Sequence, residues 1–178
     1  MRTFRPLRES EIECRVSEIA KGGGYLRLLL YKTARTDAAL LDEKFGPENW
    51  QNDYRIIDGK LFCGIGIKFG DEWIWKWNVG TESNMEAEKG QASDALKRAG
   101  FVWGIGTELY SAPDIKVPAE KCNIAKYGEK YRCYDNFTVE KIAYDERENI
   151  SGLSVQCNGK RCFMYWAGKG DDNAGSTE

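Results

Sequence analysis

"YRIIDGKLFCGIGIKFGDEWIWKWNVG", residues 54–80, decides the fold. Two turn dipeptides, Asp58-Gly59 and Gly70-Asp71, divide it into three segments. Between the turns, Leu61, Cys63, Ile65, Ile67 and Phe69 recur at every second position. Trp73, Trp75, Trp77 and Val79 do the same after the second turn. A period of two with short Gly/Asp turns predicts an antiparallel three-stranded meander. Gly64 and Gly66 alternate with Ile65, so they leave one face bare where another element can approach closely. The tryptophans could stack nucleic-acid bases, but their alternation reads more simply as core.

Working outward, "EAEKGQASDALKRAGFVWGIGTELY", residues 86–110, predicts a helix. Ser83 or Asn84 can cap it, with Glu86 and Glu88 near its positive N-terminal end. Ala92, Ala95, Leu96, Ala99 and Val102 supply a buried stripe at i, i+3, i+4, i+7 spacing. Such small residues let a helix lie close on a sheet, and the glycine patch is the expected seat. Asp94 and Arg98 are four apart and can pair. Lys97 sits at the stripe's edge; Asp94, three residues before it, is the expected partner of Arg98, which leaves Lys97 available to a partner. Upstream, Thr36 is the expected N-cap of a helix carrying Leu40, Leu41 and Phe45, stopped by Gly46-Pro47. Residues 9–20 are expected as a short helix with Ile12, Val16 and Ile19 on one side, broken by "KGGG" before a strand "YLRLLLYK". After residue 111, strands are expected near 130–133, 137–144, 151–157 and 161–166, with Asn158-Gly159 as a hairpin turn. The expectation is therefore an α+β fold: an antiparallel β-meander packed by a helix, a β-β-β-α core, with an additional C-terminal β-segment. The expected organisation is a core domain 1–111, a β-rich extension 112–168 and a disordered tail 169–178.

The 178 residues are 42% apolar and carry a net charge of −2. No run of about 18 apolar residues is present and the N-terminus has no signal-like apolar region, so a cytoplasmic location is expected. There is no histidine, which removes His-dependent catalytic constellations and mixed Cys/His metal sites. Cys122, Cys133, Cys157 and Cys162 could form a four-thiolate site, but the spacings are wide and reduced thiols in strands is the simpler reading. No metal and no cofactor are expected. Neither "KGGGY" nor "GIGIKFG" has the form of a phosphate-binding loop followed by a helix. A metal-dependent nuclease would need clustered carboxylates, for which Glu86, Glu88 and Asp94 are the candidates; helix-start acids more often complement the dipole.

A net charge of −2 is not the global signature of a nucleic-acid binder, but the positive charge is concentrated at the start of the chain, where a polyanion would be held. Residues 1–35 hold eight Lys/Arg against four Asp/Glu. Arg15, Lys21, Arg27, Lys32 and Arg35 lie in this basic segment, and Lys97 and Arg98 on the thin helix. Flexible cations of this kind contact phosphates; the plainer reading is a scatter of solvated charges.

Three blocks carry a family resemblance. "SDALKRAGFVWGIGTELY" resembles the signature helix of the Rad fifty-two family of single-strand annealing proteins, its phage and prophage members above all. "DAALLDEKFGPENW" is similar to the family's helix ending in Phe-Gly before a Trp. "IECRVSEIAKGGGYLRLLLYK" is similar to its arginine, glycine-rich break and strand. Together they cover roughly residues 10–111, in the family's order. The resemblance implies a β-β-β-α core, a homo-oligomeric ring or multimer, and ATP-independent, cofactor-free binding and annealing of single-stranded DNA in recombination and repair. It implies DNA contacts at Arg15, Lys97 and Arg98, with Arg27 and Lys32 beside the groove. It further implies a phage- or prophage-encoded protein of a bacterial host. Its partners would be a host single-strand-binding protein or a phage exonuclease. The rivals are the nuclease and a non-DNA-binding interaction module. The pattern departs at Ala99-Gly100 and at Thr107, where members often carry a further basic residue.

Overall fold

The computed structural model describes residues 3–81 and 87–168, and of 87–89 the backbone only. The capping by Ser83 or Asn84, the Glu86 and Glu88 side chains and the tail 169–178 lie outside the described residues. Contacts divide the chain into two units, Met1–Leu7 with Lys32–Thr107 and Arg8–Tyr31 with Glu108–Glu178. The architecture is α+β, two helices with antiparallel sheets. The basic hairpin groups with the C-terminal strands.

The first unit is built on the meander. α1 spans Ala34–Phe45, followed by β3 (Trp50–Ile57), β4 (Lys60–Phe69), β5 (Glu72–Val79) and α2 (Ala87–Trp103); β1 and β2 belong to the second unit. β4 is central, pairing antiparallel with β3 and β5. The β3–β4 turn needs positive φ at both Asp58 (50°) and Gly59 (72°), as the tightest hairpins do. α1 is capped by Thr33, not Thr36: the Thr36 N–H donates to Thr33 Oγ1 at 3.3 Å.

α2 covers the face of β4 that carries Cys63, Ile65 and Ile67, all fully buried. Its own buried residues are Ala95, Ala99, Gly100 and Trp103, while Val102 is 43% exposed. The expected stripe is thus rotated toward Trp103, whose indole N–H donates to Ile65 O at 2.9 Å. The sheet also reaches the helix backbone through Asn78 Nδ2 to Arg98 O (3.2 Å) and Lys76 Nζ to Val102 O (3.3 Å). Only a helix with small side chains on that face leaves room for these bonds. Phe4, Phe45, Phe69 and Trp103 form a run of ring contacts, with centroids 5.6–6.2 Å apart, joining the N-terminal segment, α1, β4 and α2.

The glycine patch lies on the other face. A Cβ at Gly64 would meet Trp77 ring atoms at 2.5–2.7 Å, and one at Gly66 would meet Trp75 at 2.6–2.8 Å. Cross-strand pairing sets Gly64 opposite Trp77 and Gly66 opposite Trp75. The indoles, not α2, fill the space the glycines leave, and the tryptophan face is not the helix-covered core.

The second unit is a six-stranded antiparallel sheet in the order β11-β10-β9-β1-β2-β6, with a small hairpin β7-β8. Its strands are β1 (Glu13–Ile19), β2 (Tyr25–Tyr31), β6 (Ile115–Pro118), β7 (Ala125–Tyr127), β8 (Lys130–Arg132), β9 (Phe137–Tyr144), β10 (Ile150–Cys157) and β11 (Lys160–Trp166). Strands were expected at 130–133, 137–144, 151–157 and 161–166; β6 and β7 are additions. The helix expected over 9–20 is a short 3₁₀ turn, Glu9–Glu11, followed by β1. Cys14 and Val16 pair across from buried Leu30 and Leu28, while Glu13, Arg15 and Ser17 are exposed. That alternation, finished by an irregularity between Val16 and Glu18, is a strand's period and not a helix's. Leu26, Leu28, Leu30, Ile115, Val117, Leu153 and Val155 form its core.

Candidate nucleic-acid interface

The seven sequence-predicted cations fall into two groups. Lys32, Arg35, Lys97 and Arg98 belong to the first unit, and Arg15, Lys21 and Arg27 to the second. In the first unit, Lys97 and Arg98 occupy consecutive positions in α2 and are both partly exposed. Among the described residues no carboxylate pairs with either. The Arg98 Nε is buried without a hydrogen-bond partner. The expected Asp94–Arg98 pair is absent, because Asp94 Oδ2 accepts the Thr81 N–H and hydroxyl, both at 2.9 Å. Arg35 is exposed on α1.

Lys32 is different. It is 1% exposed, and its ammonium is ion-paired with the buried Asp37, donates to Lys97 O at 3.1 Å and lies 4.3 Å from the Phe101 ring centroid. Its side chain passes Gly106, where a Cβ would sit 2.7 Å from its Cδ, and reaches Asp37 beside Gly100, where a Cβ would collide with the carboxylate. Burial pushes the Asp37 carboxyl up to about 6, against the opposing pull of Lys32 and of nearby Lys97. Lys32 is therefore an internal tie between the start of α1 and the Lys97 turn of α2. A phosphate cannot reach it in this arrangement.

In the second unit, Arg15 and Arg27 stand on the outward side of the β1-β2 hairpin and Lys21 in its turn. Arg15 is exposed, its guanidinium 5.9 Å from the Tyr31 ring. The Tyr31 hydroxyl donates to Glu13 at 2.5 Å, a bond that with burial raises its pKa to about 12. Arg27 is committed to carboxylates, Asp114 at 3.0 Å and Glu18 at 3.2 Å, and both raise its pKa. Lys116 on β6 pairs opposite Arg27 and lies 4.1 Å from the Tyr25 ring. Sequence reasoning missed Lys116; the signal was its place between buried Ile115 and Val117, which forces it outward.

All six cysteines are free thiols. Cys133 and Cys157 each lie 3.4 Å from the same Asp135 oxygen, and burial pushes Cys157 up to about 12. Among the described residues no group of three Cys, Asp or Glu side chains converges to hold a metal ion. Nor is any described helix long and apolar enough to cross a membrane.

A helix set on a three-stranded meander, carrying adjacent, partly exposed cations that pair with no carboxylate among the described residues, is an arrangement suited to holding a polyanion. Residues 56–127, from the end of β3 through α2 to β7, match the model of the Rad52/22 family double-strand break repair protein. Comparison with curated proteins and with solved structures found no match. The matched segment contains Lys97, Arg98 and Lys116; Arg15, Lys21, Arg27, Lys32 and Arg35 precede it.

Proposed function

We propose that this chain binds single-stranded DNA and anneals complementary strands in recombination and repair, without ATP, metal or cofactor and without catalysing a covalent step. The observation that carries the reading is the Lys97-Arg98 pair. It stands within the matched segment, on a helix tied to the sheet by three side-chain bonds, and among the described residues neither cation forms an ion pair with a carboxylate. Arg15 is the proposed contact in the second unit, with Lys21 and Arg35 as further exposed cations; Arg27 would contribute less because Glu18 and Asp114 already hold it. A homo-oligomer, as the family implies, would repeat these cations along a strand. Phosphate contacts carry no base information, so binding is non-specific and falls with salt.

The test is annealing of two complementary labelled oligonucleotides with EDTA present and no ATP. Wild type accelerates annealing. Lys97→Ala weakens single-strand binding and makes the log–log salt slope shallower by about 0.7, the value for one phosphate contact on a single strand. An unchanged slope moves the contact away from Lys97. No binding of single strands at low salt ends the reading.

A further inference from the structure

We propose that the outer face of the meander is a base-stacking platform for single-stranded nucleic acid, with Trp73 and Trp75 as the stacking residues, Trp77 as their buttress, and Arg55, Lys60 and Lys68 as flanking phosphate contacts. This deepens the strand-binding function above and rests on it. Strand alternation sets the three indoles on the side of β5 away from α2. The Trp77 and Trp75 rings lie flat against Gly64 and Gly66: three consecutive ring atoms of each would be almost equidistant from a Cβ there. One π-face of each is thus seated on backbone, and the rings neighbour each other at 5.8 Å with planes 23° apart. Trp73 continues the strip and is 38% exposed.

Large aromatics held flat at a surface offer rigid area for stacking any base at small entropic cost. The charges on the same face match that occupant. Register puts Arg55, Lys60 and Lys68 on the glycine side of β3 and β4, and all three are exposed. The Arg55 guanidinium lies over the Trp77 ring, 4.5 Å from its centroid, and is steadied by Asp53 at 2.9 Å, so Trp77 anchors the cation while Trp75 and Trp73 carry the stacking. Asp53 is the face's one carboxylate on these strands, and Arg55 neutralises it. A cationic margin beside planar rings fits a strand whose bases lie on the rings and whose phosphates run alongside.

The experiment compares a dT 30-mer with an abasic 30-mer of equal phosphate count. Wild type binds dT more tightly, and dT but not the abasic strand quenches its tryptophan fluorescence. Trp73→Ala/Trp75→Ala binds dT about tenfold more weakly and the abasic strand unchanged; Trp73→Phe/Trp75→Phe recovers most of the loss. Wild-type binding without base preference or quenching overturns the platform and leaves the strand-binding function standing. Equal loss on both oligonucleotides overturns it too. So does a change in oligomer mass on sedimentation of the alanine variant, which would make the face an interface between copies. Failure of wild type to bind either oligonucleotide defeats the underlying function itself.

Discussion

The Asp37 carboxyl ionises inside the first unit, and that fixes how its contribution varies with pH. One oxygen meets Lys32; the other, Oδ2, is buried without a hydrogen-bond partner. Burial raises its pKa from 3.8 to about 6. A folded value above the unfolded one means the native state holds the proton more tightly. The stability this supplies is complete below about pH 4 and is lost as pH rises through about 6, on the order of 3 kcal/mol across the window. Asp37→Asn cannot titrate. The stability advantage of wild type over this variant, read from urea melts, is expected to shrink from pH 4 to pH 6.5. An advantage that grows with pH would mean that the Lys32 pairing outweighs burial. The same residues show what a sequence leaves hidden. Lys32 lies in a basic segment and reads as one more surface cation, because its partner Asp37 and the glycines that admit it come from different elements. The departure at Gly100 has the same origin: a side chain there would occupy the space of the Asp37 carboxylate.

Among elements, the meander is held by a division of labour between its two faces. Cys63, Ile65 and Ile67 bury against α2, while Gly64 and Gly66 are roofed by indoles from the next strand. Gly64→Ala would place a methyl within 2.5 Å of the Trp77 ring. The ring must lift, and the expected cost is about 1–3 kcal/mol, seen as a lower urea midpoint with Trp77 fluorescence shifted to the red. A midpoint equal to wild type would show that the ring is not seated there. Both turns and all three strands of this meander are legible from residue alternation, because their information is local. The face that α2 chooses is not: periodicity marks two faces without saying which is covered. β1 escapes local reading for a related reason, since Ile12, Val16 and Ile19 also satisfy helical spacing. Only pairing with β2 and β9 decides for the strand.

At the scale of the whole molecule, the second unit is assembled from two distant stretches of chain. β2 pairs with β6, setting Leu26 opposite Val117 and Leu28 opposite Ile115, and β1 pairs with β9 through Glu13 and Thr138. A fragment ending at residue 111 therefore keeps every strand of the meander but strips the β1-β2 hairpin of both neighbours. In that fragment, hydrogen exchange is expected to show protected amides across 50–79 and lost protection across 13–31, with aggregation from the freed edges. Protection of 13–31 at full-length levels would make residues 1–111 self-sufficient. The C-terminal strands were readable one by one; their joining to the N-terminal hairpin was not, because nothing local in either stretch refers to the other.

The same joining sets an order on the ribosome. β1 and β2 leave the exit tunnel before the α1-meander-α2 segment, yet their sheet partners β6 and β9 are translated only after it is complete. At about 5–20 residues per second the hairpin waits on the order of ten seconds with an apolar Leu26, Leu28, Leu30 side uncovered. The meander can meanwhile close on itself. Nascent chains of this protein should thus be sensitive to holding chaperones at the β1-β2 hairpin, and a synonymous slowdown between α2 and β9 should harm yield more than one placed after β11.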